Sequence, residues 1–303
     1  MNKIFNPYFA LALGVITVSL SAIFVKLADA PAAVIAFYRL LFSVLLITPI
    51  FLYKYVGELR AITRKDFIFS SLAGIFLAFH FILWFESLNY TSVASSTVLV
   101  TLQPLFAFVG TYLFFKEKLS SKALISGALA VLGSVIISWG DFQTSGIALF
   151  GNFLALAACA LVTAYLMFGQ SVRKRLSLIT YTFIVYGAST ITLFLYVLIF
   201  GYSFTGYNSS DWIWFLLLAI FPTLLGHSLF NWAVKWISTN TISMSILFEP
   251  IGAAILAYFI LNEIISWTQL LGGLVVLLSV GYFIRDNRTS GQSLPKLQKK
   301  KVS

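Results

Sequence analysis

Ten stretches of about twenty mostly apolar residues follow one another along this chain. A helix needs ~20 such residues to cross a hydrocarbon core of ~30 Å, so each stretch is long enough to span a bilayer. The period-two alternation that is typical of membrane barrels is missing, and helices are the other structure that satisfies backbone hydrogen bonds in lipid. The sequence therefore predicts an all-α integral membrane protein with ten transmembrane helices. The predicted spans, numbered 1 to 10, are 8–27, 33–53, 67–87, 92–115, 122–139, 147–169, 178–200, 212–234, 239–261 and 268–284.

Composition and loop length point the same way. Hydrophobic residues make up 60% of the 303 residues and charged residues 10%, against roughly 45–50% and about 25% in soluble domains. The loops are too short to hold a soluble domain, and no GxxxxGK[ST] phosphate loop is present. The sequence therefore predicts no ATP-binding module within this chain.

The chain repeats itself at a fixed offset. Gln103-Pro104 recurs 146 residues later as Glu249-Pro250. The same offset relates Glu117 to Glu263 and Gly127 to Gly273. Because each copy holds five spans, the second must enter the bilayer from the opposite side, as in the inverted repeats of many secondary transporters. We expect a first repeat at 1–140 (spans 1–5), a second at 146–285 (spans 6–10) and a basic tail at 286–303.

The basic residues indicate how the spans are oriented. The net charge is +10, but nearly all Lys and Arg residues fall on loops that share one side if the N-terminus is cytoplasmic. Of the 20, only Lys26 lies on the outer side, and Arg39 falls inside span 2. The positive-inside rule therefore predicts that both termini are cytoplasmic. We expect the membrane to be a bacterial inner membrane. This distribution gives no support to nucleic-acid binding.

The repeated motif resembles the EamA module of the drug/metabolite transporter superfamily. In each copy a proline is followed thirteen residues later by a glutamate and ten residues after that by a glycine: Pro104, Glu117 and Gly127, then Pro250, Glu263 and Gly273. Arg39 is also similar to the arginine of that family's second helix. The resemblance implies a ten-helix carrier with two EamA repeats around a central cavity, and it favours export. The second copy departs from the first where Asn262 replaces Lys116.

Glu249 is the strongest candidate for a transport residue. It lies ten residues from the inner end of span 9, roughly 15 Å at 1.5 Å per residue, and hence near the midplane. An ionisable group at this depth is costly and tends to face a cavity, so we expect it to exchange protons or to pair with a substrate ammonium. Thr241 and Ser245 precede it at helical spacing and predict a polar stripe. Gln103 is its neutral counterpart in the first repeat.

Two histidines occupy related depths in spans 3 and 8. His80 is followed four residues later by Trp84, and His227 by Asn231. An imidazole titrates near neutral pH and an indole can stack on a cationic or aromatic substrate, so these residues are candidates for the substrate or proton pathway. A structural role for each histidine is the alternative.

Arg39 and Glu86 both fall near the outer face. An ion pair between them would hold spans 2 and 3 together. Alternatively, Arg39 snorkels to the interface or receives a substrate carboxylate through its planar fork.

Prolines predict where the spans are interrupted. Pro104, Pro250 and Pro222 each remove a backbone donor within a span, and in carriers such breaks accompany the binding site. Glu117 and Glu263, each at the end of a span, are expected to serve as structural groups at the gate ends, outside the substrate pocket.

These features favour a secondary transporter, in the export direction, of small organic metabolites such as amino acids or their derivatives. A membrane-embedded lipid-modifying enzyme and a scaffold subunit are the alternatives. Only 10 Asp and Glu and 2 His residues are present, and we predict no catalytic residue, metal site or cofactor. The expected partners are the substrate, the lipid bilayer and, as co-substrate, protons. Glycines in spans 5 and 10 would allow these helices to pack closely against other helices or would allow a homodimer to form.

Overall fold

A computed structural model describes residues 6–115, 120–142 and 146–289, and every regular element in these ranges is helical. Span 1 consists of the helices Pro7–Val18 and Ser21–Leu27, and span 2 of the helix Ala32–Ile50, followed by a π-helical turn, Phe51–Tyr55, and a 3-10 turn, Val56–Arg60. Span 3 is the helix Arg64–Ser87, span 4 consists of Val93–Val100 and Gln103–Phe115, and span 5 is Ser121–Phe142. Span 6 is the helix Gly146–Val172 and span 7 the helix Leu178–Ile199. Span 8 consists of Ser209–Leu218, the π-helical segment Ala219–His227 and Ser228–Ala233. Span 9 consists of Thr239–Ile246 and Glu249–Leu261, and span 10 is Trp267–Thr289.

Eight of these spans contain helices that are long and apolar enough to cross a membrane. The apolar segments of the other two, Ser121–Ile136 and Leu270–Ser279, are shorter. They lie in spans 5 and 10, whose helices are themselves 22 and 23 residues long. The predicted all-α, ten-helix membrane fold is therefore confirmed.

The two halves pack in a pattern that is unchanged when spans 1–5 are exchanged with spans 6–10. Span 2 packs against span 7, span 4 against span 9, and span 5 against span 10. Span 3 packs against span 6, and its counterpart span 8 packs against span 1. The first helix of span 4 contacts the second helix of span 9, and the second helix of span 4 contacts the first helix of span 9. This is the pattern expected of two antiparallel spans. This arrangement is that of two inverted five-helix repeats.

Equivalent residues begin the broken spans. The Ser92 side chain accepts a hydrogen bond from the Ser95 amide at the start of span 4, and Ser238 accepts one from the Thr241 amide at the start of span 9. Such N-cap residues satisfy backbone donors that a helix start leaves free. Each span then stops after eight residues, and a second helix begins at Gln103 or Glu249.

Proline explains why each second helix begins where it does. Pro104 and Pro250 follow the first residue of the new helix, a position where the missing N–H has no helical partner to lose. Pro222 behaves differently, because span 8 continues around it as a π-helix from Ala219 to His227. Such wider turns accommodate local disruption of the hydrogen-bond ladder.

Gly133 lets spans 5 and 10 approach closely. A Cβ atom at this position would lie 2.7 Å from the Gly272 carbonyl oxygen and 2.9 Å from Val276 Cγ2. A Cβ atom added at Gly127 would lie 2.8 Å from Cε2 of the Phe108 ring. A Cβ at Gly273 or at Gly281 would meet no atom within 4 Å. Gly133 and Gly127 therefore allow close packing between parts of the same chain, which is the first of the two roles expected for these glycines.

We expect Gly133→Leu to destabilise the protein by about 1–3 kcal/mol or more, because the added atoms must displace backbone of span 10. Thermal denaturation in detergent would measure the effect. Gly273→Leu is the matched control, since it adds the same atoms to span 10 in open space, and it should leave the melting temperature near that of the wild type. Equal shifts for the two variants would contradict this account of the interface.

Candidate functional site

The two helix breaks meet at one cavity. It has a volume of about 400 Å³, including the part that is open to solvent, and is lined by residues from spans 1, 3, 4, 6, 8 and 9. The polar lining residues are Ser21, His80, Trp84, Gln103, His227 and Glu249, and the apolar ones are Val18, Val100, Val162, Leu166, Phe230 and Ile246. The structure thus brings together five residues that the sequence singled out: Glu249, Gln103, His80, His227 and Trp84.

Several polar groups at this cavity have no partner among the residues that the structure describes. Trp84 Nε1, Gln103 Oε1 and His227 Nδ1 are buried and make no hydrogen bond in the described part of the chain. The Glu249 carboxyl group makes none with the described residues either, although its backbone oxygen accepts from Ser19 Oγ at 3.2 Å. Buried polar groups are otherwise almost always hydrogen-bonded, so this concentration of a donor, acceptors and an acid suits a polar ligand.

His80 is held by the backbone of span 6. Its Nδ1 lies 2.9 Å from the Ala158 carbonyl oxygen, and because that oxygen can only accept, Nδ1 is the donor. In a neutral ring Nε2 is then the acceptor. The imidazole also stacks on Trp84, with centroids 5.7 Å apart and an interplanar angle of 26°. The pair forms a flat aromatic wall.

His227 sits among aromatic rings instead. Phe81 meets it edge-on at 5.5 Å, and Tyr165 lies at 6.2 Å. Asn231, one helical turn along, does not line the cavity; its Nδ2 donates to Tyr165 Oη at 2.5 Å, while its Oδ1 has no partner among the described residues. Asn231 therefore holds Tyr165, which packs against His227, and does not itself contact the cavity.

Arg39 is fully buried next to the cavity, close behind Ser21. Its Nη1 donates to Ser21 Oγ at 2.8 Å and its Nε to Thr223 Oγ1 at 2.7 Å. The guanidinium lies 4.0 Å from the Phe81 centroid, a cation–π geometry. Nη2 finds no partner in the described ranges, and the charge interacts electrostatically with Glu249. Arg39 is thus a buried positive charge beside the cavity, near enough to Glu249 for the two charges to interact.

The predicted ion pair between Arg39 and Glu86 is wrong for this structure. Glu86 instead accepts from Tyr90 Oη at 3.2 Å and from Asn89 Nδ2 at 3.4 Å. Arg39 instead points to Ser21 and Thr223 in spans 1 and 8. Rotation about the helix axis, which sequence spacing alone leaves open, separates them.

Other predicted residues lie away from the cavity. Thr241 and Ser245 do not line it; Ser245 Oγ donates back to the Thr241 carbonyl at 3.0 Å within the first helix of span 9. Glu263 follows the end of span 9, where its amide donates to the Ala257 oxygen at 3.2 Å. Pro222 lies in the π-helical segment. Glu117 lies outside the described residues.

Sequence reasoning missed Ser21 and the apolar part of the wall. Ser21 is one small residue in an apolar run, and the repeat gives it no polar counterpart at position 167. Val100 and Ile246 were detectable in principle, because they are 146 residues apart and directly precede the breaks. Within the described ranges, no group of three or more His, Cys, Asp or Glu residues could hold a metal ion.

Comparisons with known proteins agree with this architecture. The model of the EamA-like transporter family matches residues 6–139 and again residues 149–285. An uncharacterized transporter of Archaeoglobus fulgidus is 23% identical over 274 residues, covering 89% of this chain and 93% of that protein. The riboflavin transporter ImpX of Fusobacterium nucleatum is 24% identical over 200 residues, covering 63% and 66%.

One solved crystal structure also aligns along nearly the whole chain. It has a TM-score of 0.74 at 14% sequence identity and covers 94% of this chain and 98% of that one. At this identity the match shows a shared fold.

Proposed function

The chain belongs to the EamA-like transporter family, and on that premise we propose that it exports small organic metabolites, such as amino acids or their derivatives, by alternating access. The family and the transporters among its relatives make it a multi-pass transporter of small molecules. The finer statement concerns the cargo, the direction and the mechanism.

One observation carries this proposal: the cavity at the two helix breaks gathers polar groups of complementary kinds that have no partner in the described part of the chain. Glu249 would pair with an ammonium group, while Gln103 Oε1 would accept and Trp84 Nε1 donate a hydrogen bond. The stacked His80 and Trp84 rings would hold a flat or aliphatic portion of the substrate. Pockets for small molecules combine apolar walls with a few convergent polar groups in this way.

The inverted repeat supplies the route for alternation. Both halves contribute a broken helix to the same cavity, and in carriers of this plan one half rocks against the other around a fixed site. We propose a proton gradient or the substrate's own gradient as the energy source, with Glu249 as the group that exchanges protons. Buried acids in membranes commonly perform this task.

The remaining assignments stay predictions from the sequence. They are an inner-membrane location with both termini cytoplasmic, repeat boundaries at 1–140 and 146–285, and a basic tail at 286–303. A homodimer is a further expectation, and exposed leucines of spans 5 and 10, such as Leu132 and Leu274, are available for it.

Counterflow in proteoliposomes tests the proposal. Vesicles holding the purified protein are loaded with unlabelled compounds, and exchange with labelled external substrate is followed for a panel of amino acids and their derivatives. Riboflavin joins the panel because ImpX is named for it. Saturable exchange, absent from protein-free vesicles and from Glu249→Ala vesicles, is the expected result. No exchange across the panel would contradict the proposal and favour a scaffold or an enzyme.

A further inference from the structure

We propose that the loops joining the first two spans of each repeat act as clamps that close opposite mouths of the cavity. The inner clamp is Arg173 and Arg175, just after span 6. The outer clamp is Lys26, in the last helical turn of span 1, and Asp29, just after it. Each clamp ties span 3 to span 8, the two helices that carry His80, Trp84 and His227. The inference rests on the alternating access proposed above.

The inner clamp holds the start of span 3 through an ion pair. Arg175 Nη2 lies 2.5 Å from Asp66 Oδ1, and its Nε lies 3.0 and 3.2 Å from the two carboxylate oxygens. Asp66 is in the first turn of span 3, and its Oδ2 also accepts from Thr63 Oγ1 at 2.8 Å. Forked contacts of this kind fix geometry as well as charge. The Asp66 side chain is 4% exposed and that of Arg175 49%, so a partner lost here would leave a buried acid unpaired.

The same clamp holds the end of span 8. Arg173 Nε donates to the Asn231 carbonyl oxygen at 2.9 Å, and Nη1 donates to the Leu176 carbonyl oxygen. Burial lowers the pKa of the Arg173 guanidinium to about 10, which leaves it protonated at neutral pH. Two arginines that are two residues apart thus join the last turn of span 8 to the first turn of span 3.

The outer clamp repeats this plan with other chemistry. Lys26 Nζ donates to the Leu88 carbonyl oxygen at the end of span 3, at 2.8 Å. The Asp29 amide donates to Asp211 Oδ1 at 3.0 Å, and Asp211 stands in the first turn of span 8. This loop therefore joins the last turn of span 3 to the first turn of span 8.

The two clamps are counterparts in the repeat. Asp29 and Arg175 are separated by the repeat offset, and the pairs Lys26 with Arg173 and Asp66 with Asp211 match it to within one residue. An inverted repeat places such counterparts at opposite membrane faces. For the cavity to open at one face, spans 3 and 8 must separate there, and the clamp at that face must release one of them.

Electron-paramagnetic-resonance distances in lipid nanodiscs test the clamps without substrate. Spin labels on Phe67 and Lys235 report the inner mouth, and labels on Asn89 and Ile213 report the outer mouth; all four side chains are exposed. The buried Cys159 is first replaced by alanine. Asp66→Asn and Arg175→Gln should each add a population with a longer inner distance, and Asp211→Asn should do so for the outer distance.

Lys174→Gln is the matched control, because it removes the same charge from the neighbouring exposed residue. It should leave both distance distributions unchanged. Identical inner distances in Arg175→Gln, Asp66→Asn and Lys174→Gln would overturn the clamp, as would longer distances at both mouths in every variant. Since no substrate is added, a failed clamp and a failed transport assay are separate results.

Discussion

Glu249→Gln should reduce substrate exchange by about 100-fold or more. The substitution keeps the size of the side chain and removes its charge, so a substrate ammonium would enter the cavity without a counter-charge. Losing one partner of a buried charge pair costs about 2–5 kcal/mol, and each 1.4 kcal/mol corresponds to about a factor of ten. Initial rates of counterflow in proteoliposomes, normalised to the amount of reconstituted protein, would measure the loss.

Glu263→Gln provides the matched control for this variant. It makes the same chemical change just beyond the end of span 9, away from the cavity lining. Because the role predicted for Glu263 lies outside the substrate pocket, its exchange should fall far less than that of Glu249→Gln. Wild-type rates in Glu249→Gln would contradict the assigned role. Wild-type transport that is independent of pH would reject proton exchange at Glu249 while leaving a role in substrate binding open.

Because Gln103 and Glu249 are equivalent residues of the two repeats, a double variant can test whether the position of the carboxyl group matters. Gln103→Glu combined with Glu249→Gln moves the carboxyl group to the equivalent position in the other repeat, at the start of the other broken helix. If the acid needs only to be in the cavity, the double variant should recover part of the exchange that Glu249→Gln loses. If the acid must lie at position 249, where it interacts with the charge of Arg39, the double variant should stay inactive.

Much of the fold followed from the sequence because the bilayer leaves few options. Apolar length gave the spans, an odd number per repeat gave the inversion, and Pro104 and Pro250 marked where spans 4 and 9 are interrupted. These features depend on chain composition and backbone chemistry, which are local properties. The same depth argument placed Gln103 and Glu249 together, and the structure has both at one cavity.

Helix rotation was the part that sequence could not supply. Thr241 and Ser245 share a stripe of span 9, yet their helix ends at Ile246 and a new helix begins at Glu249, so the stripe does not continue into the cavity. Arg39 and Glu86 share a depth and point to different neighbours. A depth is fixed by counting residues, whereas a facing direction depends on packing between spans.

The second large effect is expected at Arg39. Arg39→Met should lower the free energy of unfolding by about 3 kcal/mol or more, because hydrogen bonds to a charged group contribute about 1.5–3 kcal/mol each and the variant loses those to Ser21 and Thr223. It should also abolish exchange. Arg39→Lys is the control that keeps the charge without the planar fork, and it should lose less stability. Denaturant titration in detergent would measure these differences.

A double-mutant cycle with Glu249 separates the electrostatic part of this effect from packing. If Arg39 supplies the counter-charge for Glu249, the acid is already costly in Arg39→Met, and removing it with Glu249→Gln should cost less there than in the wild type. Coupled neighbours typically deviate from additivity by 0.5–3 kcal/mol. Additivity within about 0.5 kcal/mol would mean that Arg39 holds spans 1, 2 and 8 together independently of Glu249.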